Sequence, residues 1–136
     1  MIERHSNSLP LWLFEHLLNH RDIYHFVSTR TGGFSNPPYD ALNLGFHVGD
    51  NPEIVLKNRE LLATAMKIPL DNFITARQVH DSNVAVITEE LKGRGAFNFD
   101  TAISATDAMV TDTPNICLTV LQADCVPLLF FDLKKK

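Results

Sequence analysis

The most constraining feature of the sequence is an apolar run near its end, TVLQADCVPLLFF at residues 119–131, which contains an Asp-Cys pair. A buried strand excludes an unpaired carboxylate, because removing an isolated charge from water is costly. The run therefore predicts two strands that meet at a polar turn, or a strand end at which Asp124 and Cys125 carry out chemistry. A segment as apolar as VPLLFF also requires neighbours on both of its faces.

Most of the remaining sequence predicts short strands. IYHFVSTR at residues 23–30 is rich in β-formers, and FITARQVH followed by NVAVITEE predicts a hairpin joined at DS, with His80 at its shoulder. TDAMVT, ICLTVLQ and VPLLFFDL predict three further strands separated by turns. LPLWLFEHLL predicts a short amphipathic helix or an edge segment, with buried candidates Trp12, Leu13, Leu17 and Leu18.

One long loop and one helix complete the pattern. Residues 31–52 are dense in Gly, Pro, Asn and Asp, and loops of this length in compact domains are more often functional than accidental. Asp50 or Asn51 as N-cap and Pro52 in the first turn predict the start of a helix, which Pro69 ends. Its apolar residues at helical spacing are Ile54, Leu61, Ala65 and Ile68. Together these segments predict an α/β fold of the α+β kind, a mixed sheet with flanking helices.

Length and composition limit the class of protein. A chain of 136 residues that is 45% hydrophobic and 21% charged can form a core, so residues 1–136 are expected to be a single domain. The net charge is −4, no basic patch indicates nucleic acid, and no apolar run reaches the roughly 18 residues of a membrane span. Two cysteines are too few for a disulfide scaffold, which predicts reduced thiols and a cytoplasmic protein.

Three segments contain residues suited to chemistry. His80 ends RQVH and Cys125 lies in QADCVP, but no close-spaced motif such as CxxC or HExxH is present, so a metal site must be assembled across the fold. The residues alone leave open a turn histidine and a buried structural cysteine. Arg30 precedes Gly32 and Gly33, a pattern that suits either phosphate binding or a plain strand-to-turn transition.

Three more polar or thiol residues have alternative roles. Asn43, in ALNLGFHVGD, is suited to a ligand hydrogen bond or to organising the loop, and Asp124 is suited to forming a turn before a strand. Cys117 has apolar neighbours on both sides, so it is expected to be a core residue and not a ligand.

Four segments, taken in order, resemble the polyphenol oxidoreductase or laccase-domain family. They are STRTGGFSNPPYDALNLGFHVGD, NRELLATAMKI, RQVHDSNV and TDAMVTDTPNICLTVLQADCVPLLFFD, and they span residues 28–132. Members of that family are zinc-dependent purine nucleoside phosphorylases with adenosine deaminase activity, and their fold is similar to that of a Cys-His toxin deamidase. The resemblance implies phosphorolysis of adenosine, inosine and S-methyl-5'-thioadenosine, with nucleoside and phosphate as the small-molecule partners.

The resemblance also implies a metal site. His80 and Cys125 occupy the positions at which the family binds zinc, with copper as the alternative metal. A third ligand, a His in an H-x-G-W-R-G-like segment, is expected beyond residue 136. Family members are roughly twice as long, so the chain is expected to be an N-terminal half whose partner is the C-terminal half of the same protein.

For the reaction itself, the candidate residues lie in the long loop and beside Cys125. Arg30 is the candidate phosphate ligand, next to Gly33, and Asn43 is the candidate for holding ribose or base. Asp124 is expected to orient the metal ligands or to act as an acid/base group, and Arg30 and Asp124 are the catalytic candidates.

Three other readings stay open. A cysteine hydrolase would use Cys125 as nucleophile and His80 as base. A copper-dependent phenol oxidase, or laccase, would need His-rich clusters that the sequence lacks. A non-enzymatic half that needs its C-terminal partner in order to fold is the third.

Overall fold

The computed structural model describes residues 1–134. Within them the chain forms seven short strands, one α-helix and three 3-10 helices, which confirms the mixed α/β class. The chain divides into two compact units, Met1–Lys67 and Ile68–Lys136. Its assignment to a single domain stays a prediction. No helix of the described residues is long and apolar enough to span a membrane.

The first unit begins with a three-stranded antiparallel sheet. Its strands are β1 (Ile2–Ser6), β2 (Leu9–Leu13) and β3 (Val27–Ser28), in the order β1-β2-β3. In β1 and β2, Ile2 pairs with Leu13 and Ser6 with Leu9, so only two residues form the turn between them. Most of the strand predicted over residues 23–30 is irregular, since only its two residues in β3 are paired.

The prediction for LPLWLFEHLL is wrong for its first five residues, which form a central strand, and a short helix forms only from Glu15 onward. The segment contains the central strand β2 and then a 3-10 helix at Glu15–Asn19. Strand alternation turns Leu9 and Leu11 to the same face, where both are buried. Of the predicted core residues, Leu17 is buried, Trp12 and Leu13 are half-buried, and Leu18 is exposed.

Helix α1 (Pro52–Met66) starts where the sequence predicts. The side chain of its N-cap, Asn51, accepts a hydrogen bond from the Glu53 amide at 2.9 Å. The helix ends at Lys67, which has a left-handed backbone with φ of 57°. Its buried face differs from the prediction, because only Ala65 of the predicted set is buried; the buried residues are Val55, Asn58, Arg59, Leu62, Ala63, Ala65 and Met66.

The second unit contains two separate parallel pairs. Strand β4 (Phe73–Thr75) pairs with β7 (Cys117–Thr119), and β5 (Val84–Val86) pairs with β6 (Ala108–Val110). The predicted hairpin of FITARQVH and NVAVITEE is therefore wrong, because β4 and β5 belong to different sheets. The backbone between them is instead hydrogen-bonded to Asp107, which directly precedes β6.

The strand predicted for VPLLFFDL is also wrong. Residues 120–134, the last that the structure describes, contain no strand. Val126 is 82% exposed and Phe130 is 89% exposed. A strand exists only where another strand accepts its backbone hydrogen bonds, and the described residues provide none beside this segment.

Candidate functional site

The two predicted metal ligands each follow one strand of the parallel pair β4–β7. Phe73 pairs with Cys117 and Thr75 with Thr119, so the carboxyl ends of both strands lie together. His80 follows the end of β4 and Cys125 follows the end of β7. In open α/β sheets, ligands bind beyond the carboxyl ends of parallel strands.

A side-chain hydrogen bond continues this pairing past the strands. Gln78, two residues before His80, accepts the amide hydrogen of Leu121 through its Oε1 at 2.8 Å. The segments that lead to His80 and to Cys125 are therefore attached to each other beyond the last paired residues. Sequence reasoning did not select Gln78, because an isolated Gln after a strand carries no pattern of its own.

His80 lies in a loop that wraps around a carboxylate. Its backbone is left-handed, with φ of 61°, and its amide donates to Oδ1 of Asp107 at 2.8 Å. The Val79 amide donates to the same oxygen at 3.0 Å, and the Asp81 amide to Oδ2 at 3.1 Å. Desolvation raises the pKa of Asp107, but these amide hydrogen bonds outweigh it and hold the pKa below its ordinary value. The His80 residue itself is exposed.

The two cysteines differ in environment. Cys125 and its neighbour Asp124 are exposed, and the thiol of Cys125 is free. Cys117 lies in β7, with its Sγ 3.9 Å from Oγ1 of Thr119, and burial raises the pKa of its thiol to about 11. A thiol with so high a pKa is a poor nucleophile and a poor ligand near neutral pH, whereas an exposed thiol is accessible to both roles.

Imidazole and thiolate are donors that zinc accepts, so His80 and Cys125 fit a zinc ion as two of its ligands. A catalytic zinc site takes three protein ligands. Among residues 1–134, no group of three His, Cys, Asp or Glu side chains is close enough together to hold a metal. Among the described residues the donor chemistry of His80 and Cys125 suits zinc, and zinc binding by them stays a prediction.

In the first unit, Arg30 closes the long loop on itself. Its Nε donates to the backbone oxygen of Asp40 at 2.8 Å, and its Nη2 lies 3.2 Å from the Asp40 carboxylate. The Arg30 carbonyl accepts hydrogen bonds from the amides of Ala41 and Leu42. The guanidinium side chain is still 73% exposed, so an anion can reach it. A phosphate bound there would share the cation with Asp40.

Gly33 is packed against the opposite side of the same loop. A Cβ at this position would collide with the carbonyl of Ala41 and would lie 2.5 Å from Cα of Leu42. The close approach of two backbone segments therefore requires glycine here. This packing gives Gly33 a structural role, and its predicted contact with substrate stays a prediction.

Asn43 organises the loop, which is one of the two roles the sequence left open. Its Oδ1 accepts the Gly45 amide at 2.9 Å, and its Nδ2 donates to Oδ2 of Asp50 at 3.0 Å. The Ser35 hydroxyl donates to the same oxygen of Asp50 at 2.6 Å. These hydrogen bonds from Asn43 and Ser35 lower the pKa of Asp50. With its amide engaged, Asn43 would need to exchange partners in order to hold a ligand.

Asn58 connects this loop to α1, and sequence reasoning missed it. It is fully buried, accepts the Phe34 amide at 2.8 Å, and donates to Oγ of Ser35 and to the carbonyls of Ala41 and Asn43. A polar residue between two apolar ones at helical spacing, three after Val55 and four before Leu62, is the signal that could have identified it.

The next residue of α1 is a buried cation. Arg59 donates through Nε to the Leu44 carbonyl at 2.8 Å, and its guanidinium lies 4.3 Å from the centre of the Phe46 ring. Burial lowers the pKa of Arg59 to about 10. The ring and the carbonyl compensate part of the desolvation of the charge, and they attach a further part of the loop to the helix.

Several curated proteins are similar to this chain over most of its length. Purine nucleoside phosphorylase YlmD of Bacillus subtilis is 39% identical over 114 residues, which cover 84% of the chain and 41% of YlmD. The purine nucleoside phosphorylase Cgl2154/cg2365 of Corynebacterium glutamicum is 41% identical over 82% of this chain and 43% of its own length. Purine nucleoside phosphorylase YfiH of Shigella flexneri is 42% identical over 76% of this chain and 38% of its own length. The chain thus spans between 38% and 43% of the length of these relatives.

Solved structures agree with these sequence comparisons. The hypothetical protein YfiH of Bacillus licheniformis superposes with a TM-score of 0.68 at 33% identity, covering 82% of this chain and 37% of that one. YlmD of Geobacillus stearothermophilus superposes with a TM-score of 0.66 at 36% identity, covering 67% of this chain and 34% of that one. The family described as multi-copper polyphenol oxidoreductase laccase matches residues 24–136. The resemblance read from the four sequence segments is therefore confirmed, and the chain belongs to this family.

Proposed function

We propose that the protein is a purine nucleoside phosphorylase that acts on adenosine, inosine and S-methyl-5'-thioadenosine, with an additional zinc-dependent adenosine deaminase activity. The relatives' names support the phosphorylase. The structural observation that carries the proposal is the parallel pair β4–β7, whose carboxyl ends lead to His80 and Cys125. Because the chain spans less than half of these relatives, the activity belongs to a protein that contains this chain and the remaining part of the fold.

In phosphorolysis, a phosphate oxygen attacks C1′ of the ribose while the bond from C1′ to the purine nitrogen breaks. The electron pair of that bond goes to the base, which leaves as the free purine after protonation, and the sugar becomes (methylthio)ribose 1-phosphate. Arg30 is the proposed phosphate ligand, because its exposed guanidinium is beside a tightly packed turn at Gly33. Asn43 is proposed to hold the ribose or base.

Zinc is the proposed metal, with His80 and Cys125 as two of its ligands and a third outside the described residues. The chemistry that zinc supplies when bound is the lowering of the pKa of water toward neutrality. Deamination adds water at C6 of adenosine and releases ammonia. Asp124, exposed next to Cys125, is proposed to orient the metal ligands, with proton transfer as its alternative role. Copper in the same position is the alternative metal.

The free cysteines favour a reducing compartment, so we place the protein in the cytoplasm. Nucleoside and phosphate are the proposed small-molecule partners, and the C-terminal half of the same protein is the proposed macromolecular one. Such a partner would also cover the exposed apolar side chains near the end of the described residues, which are Val126, Leu128, Leu129, Phe130 and Leu133.

The test is a phosphate-dependent assay on the complete gene product. Adenosine and inosine are incubated with and without inorganic phosphate, free base is quantified by chromatography, and bound metal is measured by mass spectrometry. We expect base release only with phosphate, and loss of both zinc and activity in Cys125→Ala. Cys117→Ala is the matched control. Cys117 lies in β7 and is not a proposed ligand, so this substitution should leave the metal content unchanged. Zinc-loaded protein that releases no base with phosphate would refute the phosphorylase.

A cysteine hydrolase is the second candidate, because the Cys125 thiol is exposed and unpaired by any disulfide in the described residues. This alternative predicts a metal-free protein that is inactivated when Cys125 alone is alkylated. The metal measurement described above separates the two proposals.

A further inference from the structure

The carboxylate of Asp107 binds three consecutive backbone amides. Val79 and His80 donate to its Oδ1 at 3.0 and 2.8 Å, and Asp81 donates to its Oδ2 at 3.1 Å. Three successive N–H groups converge on one anion only when the backbone curves around it, a conformation known from anion-binding loops. Here the anion is a side chain of the protein itself.

His80 has a conformation that needs such support. Its φ of 61° lies in the left-handed region, where a side chain with a Cβ is strained. Such a conformation persists only when surrounding contacts hold it. The hydrogen bond from the His80 amide is the shortest of the three. Asp107 therefore stabilises the unusual backbone of the very residue that follows β4 as a candidate metal ligand.

Asp107 is itself held at the start of β6. Its own amide and that of Ala108 donate to the carbonyl of Asn83, at 3.1 and 3.2 Å, and the Asn83 side chain donates to the Ala105 carbonyl at 3.0 Å. On the other side of His80, Gln78 accepts from Leu121. The loop is thus anchored both to the start of the β5–β6 pair and to the segment after β7.

We infer that Asp107 is a positioning residue for His80, holding the loop so that the imidazole is fixed beyond the carboxyl end of β4. The inference rests on the proposed function, in which His80 binds zinc. In this role Asp107 acts through the backbone amides of residues 79–81, to which its carboxylate is hydrogen-bonded. The competing interpretation is that Asp107 only stabilises the loop and leaves the imidazole unaffected.

The test uses Asp107→Ala, Asp107→Asn and the control Asp112→Ala in the complete protein. Asp112 is an exposed carboxylate in the segment after β6. An Asn at position 107 retains one side-chain oxygen, which can accept the Val79 and His80 amides. It lacks the second oxygen, which accepts the Asp81 amide in the wild type. It serves as the milder variant if Ala fails to fold. Three readouts are taken: hydrogen exchange of the amides of 79–81, carbon relaxation of the His80 ring, and zinc affinity by competition with a chromogenic chelator.

For Asp107→Ala we expect at least tenfold faster exchange of the three amides, a more mobile His80 ring, and at least tenfold weaker zinc binding. The Asn variant should accelerate exchange most at Asp81, and Asp112→Ala should leave all three readouts unchanged. Faster exchange with unchanged ring mobility would overturn the inference in favour of loop stabilisation alone, and unchanged exchange would overturn it outright. If the wild-type protein binds no zinc, the proposed function fails, while ring mobility still decides whether Asp107 positions His80.

Discussion

Replacing Asn58 by Ala should destabilise the first unit strongly, because one buried side chain makes four hydrogen bonds. It accepts the Phe34 amide and donates to Ser35, Ala41 and Asn43, at distances from 2.8 to 3.3 Å. All of these partners lie in the long loop of residues 31–52, which Arg30 closes through its contacts with Asp40. The substitution therefore removes the main polar connection from α1 to that loop.

The magnitude follows from the number of bonds. A typical intramolecular hydrogen bond contributes about 1 kcal/mol net. The two Nδ2 hydrogens are shared among three acceptors, so with the bond from Phe34 the side chain contributes about 3 kcal/mol. Ala is a better helix former than Asn, and this difference in helix propensity offsets up to about 0.7 kcal/mol of the lost stability. The expected decrease in the free energy of unfolding is therefore about 2 kcal/mol. Any cavity left by the side chain adds to this value.

Urea denaturation followed by Trp12 fluorescence measures this change selectively. Trp12 is the one tryptophan of the sequence and lies in β2, in the same unit as Asn58. Glu60→Ala is the matched control, because Glu60 is exposed on the same helix and should change stability by less than about 0.5 kcal/mol. A decrease below about 1 kcal/mol for Asn58→Ala, at an unchanged slope against urea, would refute the role of this side chain.

Two further predictions concern titrating groups. In zinc-free protein at pH 8, iodoacetamide should alkylate Cys125 much faster than Cys117, because the Cys117 pKa of about 11 leaves almost no thiolate. Equal rates in peptide mass mapping would contradict this. Hydrogen bonds from Asn43 and Ser35 hold the pKa of Asp50 below its ordinary value of 3.8, so its carboxylate stabilises the fold above that pH and ceases to do so as pH falls through the folded-state pKa. Asp50→Asn should therefore have a lower melting temperature than wild type at pH 7. This difference in melting temperature should shrink below pH 3.8, and a difference that stays constant with pH would contradict the prediction.

Local signals in the sequence were sufficient for the helix and for most strand positions. Asn51 and Pro52 define the start of α1 because capping depends only on adjacent residues. Strand pairing was not predictable in the same way. β4 pairs with β7 and β5 with β6, each across a long intervening segment, and propensity carries no information about which distant segment supplies the partner. The assumed hairpin followed from closeness in sequence alone.

The candidate site shows the same division. The family resemblance assigns His80 and Cys125 as zinc ligands, and this assignment stays a prediction. The structure shows that the two residues follow the two strands of one parallel pair. Asp107 was missed because its partners are backbone amides of a remote segment, and such bonds leave no pattern in residue types. Asn58 was missed although its position between Val55 and Leu62 at helical spacing was a usable signal. The apolar character of VPLLFF predicted a strand, but hydrophobicity alone cannot supply the neighbour that a strand needs.

The contrast between the two kinds of sheet has a consequence for folding order. Strands β1 and β2 are joined by Asn7 and Ser8 alone, so their ladder can form with minimal loss of chain entropy, on the microsecond timescale of hairpins. The parallel ladders of the second unit require closure of long segments before the first hydrogen bond is made, which gives them a high contact order. We therefore expect the segments that contain the candidate zinc ligands to become ordered late, after the amino-terminal hairpin has formed.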